Sequence, residues 1–290
     1  MSRGVAAKAQ DLAGLVKLSH SVFALPFALL SLLVATDGAP SLRLLGLVVA
    51  AVVTARTAAM AFNRWADRAL DADNPRTAGR EIPAGRVSAG TALGLASGAG
   101  AAFLLVCWAI APACFWLGVP TLLWLYGYSY AKRFSALCHL WLGVALGVSP
   151  FAAWFAADGG FGPRLYAPLA LGLAVAVWVA GFDVLYACQD DEFDRARGLR
   201  SLPVALGRRR AMWVSRLLHA LALAGFVAFG RMTPLGGAYL AGVGAAAVLL
   251  VWQHRLLRPD DLSRIQAAFF TANGVLAVVM FAAGCVDLYW

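Results

Sequence analysis

The chain reads as long apolar runs separated by short polar stretches. Runs of about 17 to 25 residues suit a helix crossing a ~30 Å hydrocarbon core at ~1.5 Å per residue. Nine such runs are present: roughly 14 to 36, 42 to 62, 89 to 110, 113 to 130, 136 to 157, 165 to 187, 211 to 230, 234 to 252 and 266 to 288. They predict an all-α polytopic membrane protein, a single transmembrane domain over 1–290 with polar loops capping the bundle on one side. The first run follows Arg3 and Lys8 and precedes Ala35-Thr-Asp-Gly-Ala39, the outline of a cleavable signal peptide. Lys17 and His20 lie inside it and eight spans follow, so it reads as the first span.

Composition agrees: 61% of residues are hydrophobic, 13% are charged and mean hydropathy is +0.74. A soluble domain carries about 25% charged residues, so a soluble globular protein is excluded. The net charge of +9 comes from 24 Lys and Arg against 15 Asp and Glu. These cations are scattered through short loops and not gathered on one soluble face between aromatic residues, which argues against nucleic acid as a partner. The lipid bilayer is the partner that the composition implies.

The distribution of basic residues sets the topology, because cytoplasmic loops are enriched in Lys and Arg. With the N-terminus inside, twenty of the 24 fall on inside segments: Arg3, Lys8 and Lys17; Arg64, Arg68, Arg76, Arg80 and Arg86; Lys132 and Arg133; Arg195, Arg197, Arg200, Arg208, Arg209, Arg210 and Arg216; Arg255, Arg258 and Arg264. Only Arg43, Arg164 and Arg231 fall outside, and Arg56 lies within the second span. This predicts an inner-membrane protein with its N-terminus and long loops in the cytoplasm and its C-terminus outside. Cys107, Cys114, Cys138, Cys188 and Cys285 form no CxxC pair and read as small packing residues. His20, His139, His219 and His254 lack ligand spacing, and no role is assigned to them.

Two inside loops are long, about 63–88 and 188–210, and each opens on an acidic helix end. Shifting the chain by 123 residues lays Asn63, Asp67 and Asp71 on Tyr186, Asp190 and Asp194. Each loop then runs through an arginine to a proline, Arg80 to Pro83 and Arg200 to Pro203, so two pseudo-repeated halves serve one site. Each four-residue step turns a helix only about 40° past a full turn, so Asn63, Asp67 and Asp71 share one stripe. Asp183, Tyr186, Asp190 and Asp194 share another, and Arg56 lies two turns before Asn63, deeper in the membrane.

Crowded carboxylates repel unless a cation joins them, and an oxygen-only set favours a hard ion. Mg²⁺ prefers a few carboxylates completed by water and substrate phosphates. Arg76, Arg80, Lys132, Arg133 and Arg200 add fixed positive charge that a bare metal site would not need. A lipid diphosphate bridged to the aspartates by Mg²⁺ and clamped by arginines accounts for both signs. An ionisable residue inside a span is costly and is usually functional or paired, which singles out Arg56. The competing reading is a transporter for a cation or organic ion. Transporter sites sit near the midplane on broken helices, whereas these aspartates fall at the cytoplasmic ends of helices beside basic loops.

The motifs resemble those of the UbiA superfamily of intramembrane aromatic prenyltransferases. They are Asn63-Arg-Trp-Ala-Asp67-Arg-Ala-Leu-Asp71, similar to the family's NxxxDxxxD; Arg76-Thr-Ala-Gly-Arg80-Glu-Ile-Pro83-Ala-Gly85; Tyr130-Ala-Lys132-Arg133-Phe134; and Asp183-Val-Leu-Tyr186-Ala-Cys-Gln-Asp190-Asp-Glu-Phe-Asp194. The resemblance covers essentially the whole chain and implies a UbiA-like bundle. It implies that Asn63, Asp67, Asp71, Asp190 and Asp194 hold Mg²⁺ and the diphosphate, with the four aspartates acting in catalysis. It further implies that Arg76, Arg80, Lys132, Arg133 and Arg200 bind the diphosphate and neutralise the leaving group. Arg56, Asp183 and Tyr186 would meet the aromatic acceptor, Arg56 at its carboxylate. The implied substrates are a polyprenyl diphosphate and a hydroxylated aromatic acid of quinone biosynthesis. The motifs are similar both to members acting on 4-hydroxybenzoate and to members prenylating 1,4-dihydroxy-6-naphthoate. Haem, chlorophyllide and glycerol phosphate lipids are the superfamily's other acceptors.

Overall fold

A computed structural model describes residues 5–17 and 22–290. The helices are α1 (Val5–Val16), α2 (Leu25–Ala35), α3 (Leu42–Ala66), α4 (Arg68–Asp73), α5 (Ala89–Ile110), α6 (Pro112–Phe134), α7 (Cys138–Asp158), α8 (Tyr166–Ala187), α9 (Asp191–Ala196), α10 (Leu202–Leu206), α11 (Arg208–Arg231), α12 (Gly237–Arg255) and α13 (Ala272–Tyr289). A π-helical turn, Ala267–Thr271, leads into α13. Among the described residues no strand is present.

Seven of the nine expected spans coincide with helices long and apolar enough to cross a membrane: α3, α5, α7, α8, α11, α12 and the continuous segment Ala267–Tyr289. The run 113–130 forms α6, 23 residues long, which ends on the basic pair Lys132 and Arg133 and contains Pro120. The first run, 14–36, departs from the single crossing expected. α1 ends at Val16, Lys17 adopts φ +44°, and α2 starts afresh with Pro26 in its first turn. Left-handed backbone on a non-glycine residue ends a helix, and Pro is favoured where a new one begins. At 11 residues, α2 spans only about 16 Å, roughly half a hydrocarbon core. His20 and part of that run lie outside the described residues.

The chain divides into two compact units, and each carries one motif loop. The first comprises the described part of 1–21 together with Ala50–Tyr130. Its core gathers Leu15 and Val16 of α1, Ala61 of α3, Val87, and Ala92 and Ala96 of α5. Phe62 stacks on Tyr126 at 4.3 Å, and the Tyr126 hydroxyl donates to Ala96 O at 2.8 Å. Trp108, Trp116 and Leu123 are exposed, as lipid-facing side chains of a span must be.

The second unit, Val22–Val49 with Ala131–Trp290, is built around α8. Trp178 is fully buried, edge-on to Phe27, which stacks on Phe226. Gly143 and Gly147 let α7 lie directly on α8: a Cβ on Gly143 would overlap Ala176 O, and one on Gly147 would overlap Gly172 O. Small residues four apart are the usual device for such close helix contact in lipid. Pro150 withholds the N–H that Leu146 O would accept, and the Ser149 hydroxyl donates to that carbonyl instead at 2.8 Å. The π-turn frees carbonyls in the same way. Gln253 Nε2 donates to Ala268 O at 2.7 Å, Asn273 Nδ2 to Phe269 O at 2.7 Å, and Asn273 Oδ1 accepts from the Trp178 indole at 3.0 Å. Asp287 accepts from the backbone N–H groups of Gly236, Ala238 and Tyr239, closing the otherwise unpaired start of α12.

Two of the unassigned histidines meet in this unit, His219 Nδ1 lying 2.9 Å from His254 Nε2. His219 Nε2 faces Trp178 O at 3.3 Å, and a carbonyl only accepts. The His219 proton is therefore on Nε2, and His254 Nε2–H donates to His219 Nδ1.

Candidate active site

In the first unit, α3 runs straight into the acidic stripe. Asn63 lies three residues before its end, and its amide donates to Asp67 Oδ2 at 3.2 Å and to Ser129 Oγ at 3.5 Å. Asp67 occupies the N-cap of α4, and Asp71 follows one turn later, so the helical register survives the junction. Both aspartates are buried, 6% exposed each. Asp71 Oδ1 accepts from Arg80 Nη1 at 2.6 Å, while its buried Oδ2 has no hydrogen-bond partner among the described residues. A buried carboxylate oxygen without a donor is expensive unless a cation or solvent completes it.

The loop that returns Arg80 to Asp71 is a chain of turns. Thr77 Oγ1 donates to Asp71 O at 3.0 Å, Asn74 Oδ1 accepts from Arg76 N at 3.0 Å, and Gly85 at φ +69° lets Arg86 N and Val87 N both reach Glu81 O. Arg86 then pairs with Asp11 of α1 at 3.2 Å and donates to Gly79 O at 2.9 Å. Arg76 is exposed and Arg80 half-buried. Lys17 shares their field. Desolvation and the charges of Arg64, Arg80 and Arg76 hold its ammonium below the usual lysine range, against Glu81, which raises it. Deeper along α3, the buried Nε of Arg56 has no hydrogen-bond partner among the described residues.

In the second unit, Asp183 and Tyr186 lie on the last turns of α8, Asp190 caps α9, and Asp194 is buried within α9. Leu199 N bonds to Asp194 O at 2.8 Å across Gly198, which is at φ +67°. The Tyr186 ring packs on Phe269 of the π-turn at 4.3 Å. Arg200 N donates to Lys132 O at 2.7 Å and Arg200 Nη1 to Phe134 O at 2.8 Å, which brings the predicted cations Lys132 and Arg200 together. Arg133, beside them, is exposed. Asp191, absent from the predicted set, is clamped by Arg208 through two bonds of 2.9 and 2.7 Å. His139 binds Asp183 Oδ2 through Nδ1 at 2.7 Å. Its only signal in the sequence is an ionisable side chain in the first turn of an apolar span.

Among the described residues no three His, Cys, Asp or Glu side chains converge as a ready-made metal cage. Mg²⁺ seldom uses one, since it keeps waters and takes phosphate oxygens alongside one or two carboxylates. The donor set suits such an ion: carboxylates and an amide, with the unpartnered Asp71 Oδ2 among them.

The model of the UbiA prenyltransferase family matches residues 24–275. The 4-hydroxybenzoate octaprenyltransferase of Aromatoleum aromaticum is 32% identical over 252 residues, covering 87% of this chain and 84% of that protein. Among solved structures, the apo form of a UbiA homologue from Aeropyrum pernix K1 superposes with a TM-score of 0.84 at 32% identity, covering 92% of this chain and 98% of the other. A UbiA homologue from Archaeoglobus fulgidus, solved with DMAPP and Mg²⁺, shares the fold with a TM-score of 0.69 at 19% identity, covering 96% and 99%. With its membrane spans, its paired acidic motifs and this breadth of similarity, the chain belongs to the UbiA prenyltransferase family.

Proposed function

We propose that this protein transfers a polyprenyl group from polyprenyl diphosphate to the ring of a hydroxylated aromatic carboxylate, 4-hydroxybenzoate or 1,4-dihydroxy-6-naphthoate, in quinone biosynthesis. The observation that carries the acceptor class is Arg56, a guanidinium within an apolar span whose buried Nε meets no hydrogen-bond partner among the described residues. Such a donor calls for an anion, and an aromatic carboxylate supplies one with a flat apolar body. The names of curated relatives at about 30% identity support the same acceptor class.

In the reaction, the allylic C–O bond breaks and pyrophosphate departs with the electron pair. A ring carbon activated by the phenol attacks the allylic cation, and the ring proton is then lost. Asn63, Asp67, Asp71, Asp190 and Asp194 are the residues we assign to Mg²⁺, which when bound supplies charge stabilisation on the leaving diphosphate. Arg76, Arg80, Lys132, Arg133 and Arg200 bind diphosphate oxygens, and both motif loops serve the one reaction. Asp183 and Tyr186 orient the acceptor. The excess of basic residues in the motif loops supports a motif side that faces the cytoplasm, with the bundle in the inner membrane.

The test offers labelled polyprenyl diphosphate and each acid separately to membranes containing the protein. Product from one acid alone supports the reading and identifies the acceptor. No product from either, with folded protein, refutes it and turns attention to the superfamily's other acceptors.

A further inference from the structure

His139 is the second residue of α7, is 2% exposed, and uses both ring nitrogens. Nε2 lies 3.2 Å from the backbone N of Leu202. A peptide N–H donates and cannot accept, so Nε2 bears no proton and Nδ1–H donates to Asp183 Oδ2 at 2.7 Å. One neutral imidazole thus joins a carboxylate of α8 to the first N–H of α10, a donor that α10 itself cannot satisfy. The same two chain segments meet at three further points: Arg200 N to Lys132 O, Arg200 Nη1 to Phe134 O, and Cys138 Sγ to Arg200 O at 3.6 Å. The Asp183 side chain keeps 19% exposure, so it is held without being enclosed.

We infer that His139 is a positioning residue for prenyl transfer, fixing Asp183 and the Arg200–Leu202 turn in one register. The inference rests on the function proposed above, which gives Asp183 to the acceptor and Arg200 to the diphosphate. An apolar residue at 139 would leave a carboxylate oxygen and a peptide N–H unpaired in a buried place. The imidazole offers a donor and an acceptor about 2.2 Å apart, and a side-chain amide offers the same pair. Glutamine is therefore the substitution that keeps the link, and phenylalanine the one that keeps only the bulk.

The experiment compares wild type, H139Q, H139F, D183N and the H139F/D183N double variant, each checked as folded by size exclusion. We expect H139F to raise the acceptor KM about tenfold, the scale of a lost hydrogen bond to a charged group. H139Q restores most of that loss, and H139F adds little in the D183N background. Hydrogen exchange of the peptide covering 200–206 reads the same link without catalysis, fast in H139F and slow in H139Q and wild type. Wild-type KM and exchange in H139F, or additive effects of H139F and D183N, would overturn the inference. So would a loss in H139F that only follows its folded fraction. If wild type prenylates neither acid, the proposed function falls on that control, and the exchange measurement alone decides whether His139 holds the turn.

Discussion

The two motif loops carry related sequences and are held in place by different means. In the first, Asp71 is met by Arg80 nine residues away, Thr77 and Asn74 stitch the intervening turns, and one carboxylate oxygen meets no donor among the described residues. In the second, local turns are supplemented by several long-range side-chain and backbone ties: Arg208 of α11 to Asp191, Lys132 O at the end of α6 to Arg200 N, and His139 of α7 to both Asp183 and Leu202. A repeated acidic pattern therefore fixes which atoms are presented, while the scaffolding that presents them is particular to each copy. Substitutions within the first loop are expected to report on chemistry, and many in the second on assembly as well.

The largest effect belongs to the aspartates. Asp71→Ala and Asp190→Ala are each expected to lower kcat by at least about 10²-fold, the scale of lost leaving-group stabilisation, with the protein still folded in the membrane. Steady-state transfer and size exclusion on the same preparations check this, and near wild-type turnover in either variant would remove the metal model. Next comes Arg56→Ala, for which we expect an acceptor KM raised roughly ten- to hundredfold with diphosphate binding retained. An unchanged acceptor KM would make Arg56 a structural residue.

The two loops separate most sharply in a matched pair. Arg80→Ala is expected to weaken polyprenyl diphosphate binding with little change in thermal midpoint, because Arg80 is half-buried and its bond to Asp71 is a single tie within one loop. Arg208→Ala is expected to cost about 1–3 kcal/mol of stability, since it strips a bidentate partner from the buried Asp191. Thermal unfolding in detergent distinguishes them, and equal midpoints would erase the contrast. The smallest expected effect on chemistry is that of Gly143→Ala, which forces α7 away from Ala176 O in α8. It should cost about 1–3 kcal/mol of stability by overpacking while leaving the acceptor KM nearly unchanged.

Much of this architecture is legible in the sequence. Seven spans could be read from apolar length alone, and the stripe from Asn63 to Asp71 from four-residue spacing, because both are properties of a single helix. The first run misled because its apolar count hides a break: Lys17 leaves the helical region and Pro26 opens a new helix. The π-turn at Ala267–Thr271 is invisible to periodicity, since it depends on Gln253 and Asn273 reaching its carbonyls. His139 carries no spacing signal in the sequence because its partners are 44 and 63 residues away. Its meaning comes from tertiary contact, which spacing along one helix cannot reveal.

The central claim is that the acidic motifs serve a divalent-cation-dependent prenyl transfer. The most direct measurement is transfer of labelled polyprenyl diphosphate to the preferred acid by purified protein, first stripped with EDTA and then titrated with Mg²⁺. The account predicts no product in EDTA, full recovery with Mg²⁺, and no recovery at any Mg²⁺ concentration in Asp71→Ala. Transfer that persists in EDTA, or that Asp71→Ala supports as well as wild type, would contradict it.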